Sequence, residues 1–112
     1  MYIAMNRFKV IKGCEGDFET VWRTRQSYLP DMMGFVSFYL LRGAEQDDHT
    51  IYSSHTTWAN QSDFEAWTKS EGFRKSHERA GDPNRKVLLM GHPQFEGFET
   101  VLTEIPAKPV AA

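Results

Sequence analysis

The chain has 112 residues and a net charge of −2 with its histidines neutral; 40% of its residues are hydrophobic and 25% charged. That length supports one hydrophobic core, and the balanced charge, with no basic stripe, argues against a nucleic-acid partner. The single cysteine, Cys14, excludes an intrachain disulfide and suits a reducing cytoplasm. The opening MYIAMNRFKV lacks an apolar signal core, and no run approaches the ~20 apolar residues of a membrane span, so no membrane partner is expected.

Met1–Ile11 is expected as a strand. Tyr2, Ala4, Asn6, Phe8 and Val10 share one face, and Ile3, Met5, Arg7 and Lys9 the other. Asn6 is the polar residue on the more consistently apolar face. Lys12–Gly16 is a turn. From Asp17 the period becomes helical, with Phe18, Val21, Trp22, Arg25 and Leu29 at i, i+3, i+4 spacing, closed by Pro30 and Gly34. Phe35–Arg42 is a second strand, Gly43–Asp48 a polar loop, and His49–Trp58 a third strand rich in Thr, Tyr and Ile.

Ser62 and Glu65 have the spacing of a capping box. The helix they open turns Phe64 and Trp67 inward. Gly72 bends or interrupts it, and Phe73–Arg79 forms a second helical piece. Ala80–Gly97 is a long weak region, near the length at which a structureless loop needs a functional explanation. Phe98–Ile105 is the expected last strand, and the closing PAKPVAA is a frayed tail.

The order β-α-β-β-α-β predicts an α+β ferredoxin-like domain over residues 1–106, with 107–112 a flexible tail. It has a four-stranded antiparallel sheet with two helices on one face. Phe38/Leu40 and Tyr39/Leu41 make the second strand apolar on both sides. A homodimer with its sheets packed together would cover the open face.

Few residues offer chemistry. Cys14 has no histidine near it in sequence, and Glu15 beside it disfavours a thiolate. No phosphate-binding or nucleophile-elbow motif is present. His49 and His55 lie six apart on one strand face, roughly 20 Å, too far to share an ion. Trp67 and His77 are ten residues apart, about 15 Å along one unbroken helix. They could flank one large flat ligand between helix and sheet. Phe64, Trp67 and Phe73 would form an apolar wall ending in an imidazole, the common protein ligand of haem iron. Asn6 could donate a hydrogen bond on the other side of such a ligand. Each residue alone has an ordinary explanation: a helix-end histidine meets the dipole, an inward tryptophan is core, and a half-buried asparagine bonds to backbone.

The combination is more specific. Asn6-Arg7 in the first strand, Gly34-Phe35 opening the second and Thr56-Thr57-Trp58 closing the third precede Phe64, Trp67, Ser70, Phe73 and His77. Over about Met1–Arg79 and a final strand, the pattern resembles the IsdG-type haem-degrading monooxygenases. These sit within the wider antibiotic-biosynthesis-monooxygenase-like group of dimeric α/β barrels. The resemblance implies a catalytic set of Asn6, Trp67 and His77. His77 would be the axial ligand to haem iron, Asn6 the distal residue that helps direct oxygen, and Trp67 the residue that presses on and ruffles the porphyrin. Haem would be substrate and cofactor, with electrons from an external donor such as a reductase. Phe8, Val21, Trp22 and Phe64 would supply apolar walls, and Arg25 is a candidate for a propionate. Arg79, Arg85, Lys86 and His92 are further propionate candidates, and the Ala80–Gly97 segment would border the pocket mouth. The alternatives are a cofactor-free quinol or polyphenol monooxygenase of the same superfold and a non-catalytic haem-binding domain.

Overall fold

The computed structural model describes residues 1–78 and 85–108. Its elements run β1 (Tyr2–Ile11), α1 (Glu15–Thr24), β2 (Phe35–Glu45), β3 (His49–Trp58), α2 (Gln61–Thr68), α3 (Glu71–Ser76) and β4 (Gln94–Glu99). The sheet order is β2-β3-β1-β4 with every neighbouring pair antiparallel. This is the ferredoxin-like α+β arrangement.

Alternation in β1 sets the layers. Tyr2, Ala4, Phe8 and Val10 are buried, while Ile3, Met5, Arg7 and Lys9 are partly or fully exposed. Their β3 partners on the buried face are Trp58, Thr56, Tyr52 and Thr50. The core divides into two clusters on that face. One joins Tyr2, Ala4, Leu29, Trp58 and Trp67; the other joins Phe8, Val10, Phe18 and Tyr52. α2 and α3 supply the first, and α1 supplies the second.

The opposite sheet face carries Ile3, Met5 and Ile51, together with Tyr39, Leu41 and Phe98, which are about half exposed. Among the described residues no helix covers it.

Several boundaries differ from the sequence expectation, each for a local reason. α1 stops at Thr24, because Arg25 is extended (φ −68°, ψ 151°). Leu29 is still buried, but from a connecting segment. α2 is capped by Asn60, whose Oδ1 accepts from Asp63 N at 2.9 Å. Ser62 donates to the same oxygen, so the cap lies two residues before the expected capping box. The helix break falls at Lys69–Ser70, and Gly72 lies inside α3. A Cβ at Gly72 would stand 2.8 Å from Tyr28 Cβ and 3.2 Å from Trp67 Cζ3, so this glycine permits close packing.

The last strand is Gln94–Glu99 and not Phe98–Ile105. Pairing with β1 selects it: Asn6 faces Phe95 and Tyr2 faces Glu99. Beyond Thr100, whose N–H reaches Met1 O, Val101, Leu102 and Ile105 are exposed. Part of the expected weak region is thus ordered sheet. Leu88 to Met90 also joins β1, through Ile11 N to Leu88 O and Met90 N to Lys9 O, both 2.8 Å. Arg79, the start of that region and the last four residues of the tail lie outside the described residues.

Candidate active site between two aromatic clusters

Asn6 sits at the boundary between the two core clusters. Its β1 neighbours on the same face are Ala4, in one cluster, and Phe8, in the other. Across the sheet it faces buried Ser54 on β3 and Phe95 on β4. Its side-chain amide makes no hydrogen bond to another described residue. A half-buried amide in an aromatic surround, with donor and acceptor unspent, is suited to a ligand.

One wall comes from α1. Trp22 meets Phe8 at 5.9 Å edge-on and stacks on Phe38 at 5.5 Å. Val21 precedes it and is half-buried. The Arg25 guanidinium lies 4.9 Å from the Trp22 ring and 5.0 Å from Phe38. Burial holds the Arg25 pKa below its ordinary value, and its Nε is buried without a hydrogen-bond partner. Such a cation favours an anionic group able to complete it.

Behind this wall a charged network is already satisfied. Tyr52 donates to Glu19 Oε2 at 2.5 Å, and Arg23 and Arg42 reach the same carboxylate at 3.1 and 3.4 Å. The Tyr52 hydrogen bond leads in holding the Glu19 carboxyl below the usual carboxylate range. Burial, then Glu19, push the Tyr52 phenol up to about 12. A groove of about 370 Å³ lies here, lined by Glu19, Trp22, Arg23, Phe38, Leu40, Arg42 and Tyr52.

The other wall comes from α2 and α3. Trp67 is buried and stacks on Trp58 at 6.2 Å. Phe64 packs between Tyr2, Trp58 and Phe95, stacked on Phe95 at 5.6 Å. Phe73 meets the Trp67 ring edge-on at 5.6 Å and the His77 ring at 4.1 Å. Trp67, Phe73 and His77 are therefore one ring series, although the helix between them is broken.

His77 closes α3 and is exposed. Its Nδ1 lies 2.8 Å from Phe73 O. A carbonyl oxygen only accepts, so Nδ1 is the donor, which in the neutral ring puts the lone pair on Nε2. A backbone carbonyl holding one imidazole nitrogen while the other faces out is the usual arrangement for a metal-ligating histidine. A groove of about 600 Å³ runs beside it, lined by residues from Thr68 to Glu78 including Phe73 and His77. Asn6 is not among its lining residues. The described residues thus place Phe8, Trp22 and Arg25 with the α1 cluster and Phe64, Trp67, Phe73 and His77 with the α2–α3 series. Asn6 lies on β1 between the two clusters, and neither groove is lined by it.

The remaining candidates divide. Lys86 is paired with Asp17 at 2.6 Å, fastening the 85–90 segment to α1. His92 is exposed, and Arg79 lies outside the described residues. Cys14 is the half-buried N-cap residue of α1, while the neighbouring Glu15 carboxylate is held by Thr50 Oγ1 and Gly13 N. His49 and His55 share the open sheet face, and among the described residues no cluster of metal-ligating side chains exists.

Three contributors were not singled out from sequence. Phe38 flanks Arg25, Phe95 stacks on Phe64, and Ser54 faces Asn6. Phe38 and Ser54 follow from counting strand parity out from Asn6, but Phe95 required knowing that β4 begins at Gln94.

A four-stranded antiparallel sheet with helices on one face defines the class as a small ferredoxin-like α+β domain. The chain belongs to the antibiotic biosynthesis monooxygenase family, whose model matches residues 1–79, the stretch that contains Asn6, Trp67 and His77. It is 30% identical over 73 residues to a heme-degrading monooxygenase of Shouchella clausii. That match covers 65% of this chain and 65% of the relative, just under two thirds of the relative's own length. The fold resembles the heme-degrader MhuD of Mycobacterium tuberculosis, solved with two hemes in its active site: TM-score 0.71, 24% identity, 92% of this chain and 98% of that one. It also resembles SnoaB, a cofactor-independent oxygenase of Streptomyces nogalater, with TM-score 0.60 and 20% identity over 91% of this chain and 95% of that one. Both structural likenesses concern the fold. No helix among the described residues is long and apolar enough to cross a membrane.

Proposed function

We propose that this protein is a haem-degrading monooxygenase. It binds haem in the cleft between α1 and the α2–α3 pair, opens the porphyrin ring with O₂ and electrons from an external donor, and releases iron. The observation that carries this reading is His77: an exposed imidazole whose Nδ1 is engaged by Phe73 O and whose Nε2 has no hydrogen-bond partner among the described residues. The relationship to the Shouchella clausii heme-degrading monooxygenase supports it.

Haem supplies the iron at which O₂ is activated; the chain supplies the setting. His77 Nε2 would hold the iron. Asn6, with no side-chain hydrogen bond to another described residue, would offer its amide to the oxygen species. Phe8, Val21, Trp22, Phe64 and Trp67 exclude water and press on the flat macrocycle. Arg25 takes a propionate carboxylate in place of its missing partner, a charge-assisted pair inside an aromatic surround. The protein works in the cytoplasm with a reductase as electron donor. It is a homodimer in which the open sheet face, with Tyr39, Leu41 and Phe98, packs against its copy.

The test is an absorbance titration with haemin, followed by a reductant in air with catalase present. The expected result is a Soret band saturating at one haem per subunit, then decaying as ferrozine-reactive iron appears. A saturated but stable band under every reductant would leave a haem-binding protein. No saturable binding would move the reading to cofactor-free oxidation of a quinol or polyphenol.

A further inference from the structure

We propose that Ser70 is a positioning residue for His77, and that it acts through the break between α2 and α3. His77's part in ligating iron rests on the function proposed above; the geometry of the positioning does not.

The Ser70 hydroxyl has one proton and spends it on Trp67 O, at 2.7 Å. Its oxygen accepts from Phe73 N, at 3.1 Å. One side chain therefore joins the residue that forms the wall to the residue that holds the imidazole. Phe73 then holds His77 through its carbonyl, which accepts from both the backbone N–H (3.2 Å) and Nδ1 (2.8 Å), and through its ring at 4.1 Å. Trp67–Ser70–Phe73–His77 is a continuous series of contacts across a helix break.

α3 has only six residues, too few to persist by its own hydrogen bonds. Its first turn depends on the Ser70 cap. Near its far end, Arg74 is engaged by Glu71 and Glu78 and leaves His77 to the Phe73 carbonyl. Without the Ser70 hydroxyl, Phe73 N loses its acceptor and the turn carrying Phe73 O loosens. His77 Nδ1–H then has no fixed acceptor, and the imidazole reverts toward the Nε2–H form preferred in water. That form has no lone pair on the outward nitrogen.

The experiment reads the ligand-free protein first. Nitrogen-15 NMR of the His77 ring, read on its neutral form, should give the Nδ1–H tautomer in the wild type. Ser70→Ala should shift it toward Nε2–H and weaken haemin binding by about 10–100-fold, the usual cost of losing support behind a metal-ligating histidine. Ser70→Gly keeps a residue tolerated at an N-cap but removes the hydroxyl, and it should behave as Ser70→Ala does. Ser70→Thr should restore both readouts. Asn60→Ala removes the equivalent cap of α2 and should change neither. The proposal is overturned if Ser70→Ala and Ser70→Gly keep the wild-type tautomer, or if Asn60→Ala reproduces their effect. A wild type that binds no haemin would sink the functional reading while leaving the tautomer comparison to decide this one.

Discussion

The two walls of the proposed cleft are built differently. The α1 wall rests on the buried aromatics Phe8, Phe18 and Tyr52, and Glu19 holds Tyr52, Arg23 and Arg42 together, while Arg25 keeps an unpartnered Nε. The α2–α3 wall consists of two short helices, each capped by one side chain, and ends in an exposed histidine. Under the proposed function, the first supplies stability, shape and one open cation, and the second would present a ligating nitrogen. Stability and activity should therefore separate along the cleft. A group used by function sits where few contacts oppose its use.

Substitutions can break that separation. His77→Ala should abolish the haemin Soret shift and turnover while changing stability by no more than about 0.5 kcal/mol, as expected for an exposed side chain; paired haemin and urea titrations check both. Asn6→Ala should bind haemin but turn over slowly or not at all, because its amide supports no other residue; steady-state ring opening is the readout. Phe18→Ala, in the α1 core, should cost about 3–5 kcal/mol by urea unfolding. At low temperature, where it stays folded, it should still saturate at one haem per subunit. Loss of binding there would mean that the walls are not separable.

The smallest effect is in pH dependence. The Glu15 and Glu19 carboxyls are held low, Glu15 chiefly by the Thr50 hydroxyl and Glu19 by the Tyr52 phenol. Their contribution is present above the unfolded value of 4.5 and is lost as the pH falls through their folded values. Tyr52 runs the other way. Raised from 10.0 to about 12, it contributes fully below pH 10 and loses that contribution as the pH rises toward 12. Tyr52→Phe should remove the alkaline limb of a melting-temperature profile and make the acid limb shallower, with His77 chemistry unchanged.

The two walls also differed in how far sequence could reveal them. Period-two alternation placed Asn6 on the helix-facing side of β1, and β3 runs from His49 to Trp58 as the alternation indicates. These features follow from local pattern. Leu29 continued the helical period but is buried from a connecting segment, because tertiary packing replaced the helix. FETVLTEI has strand propensity throughout, yet pairing with β1 ends β4 at Glu99. The imidazole came near the aromatic wall by a route sequence spacing did not give. Ten residues of continuous helix would separate Trp67 from His77. The Ser70 break and Phe73 connect them through ring contacts instead.

The most direct test of the central claim is resonance Raman spectroscopy of the ferrous haem complex. The account predicts an iron–histidine stretching band in the wild type that disappears in His77→Ala. A wild type without that band, or a His77→Ala protein that keeps it, would contradict the assignment of this cleft.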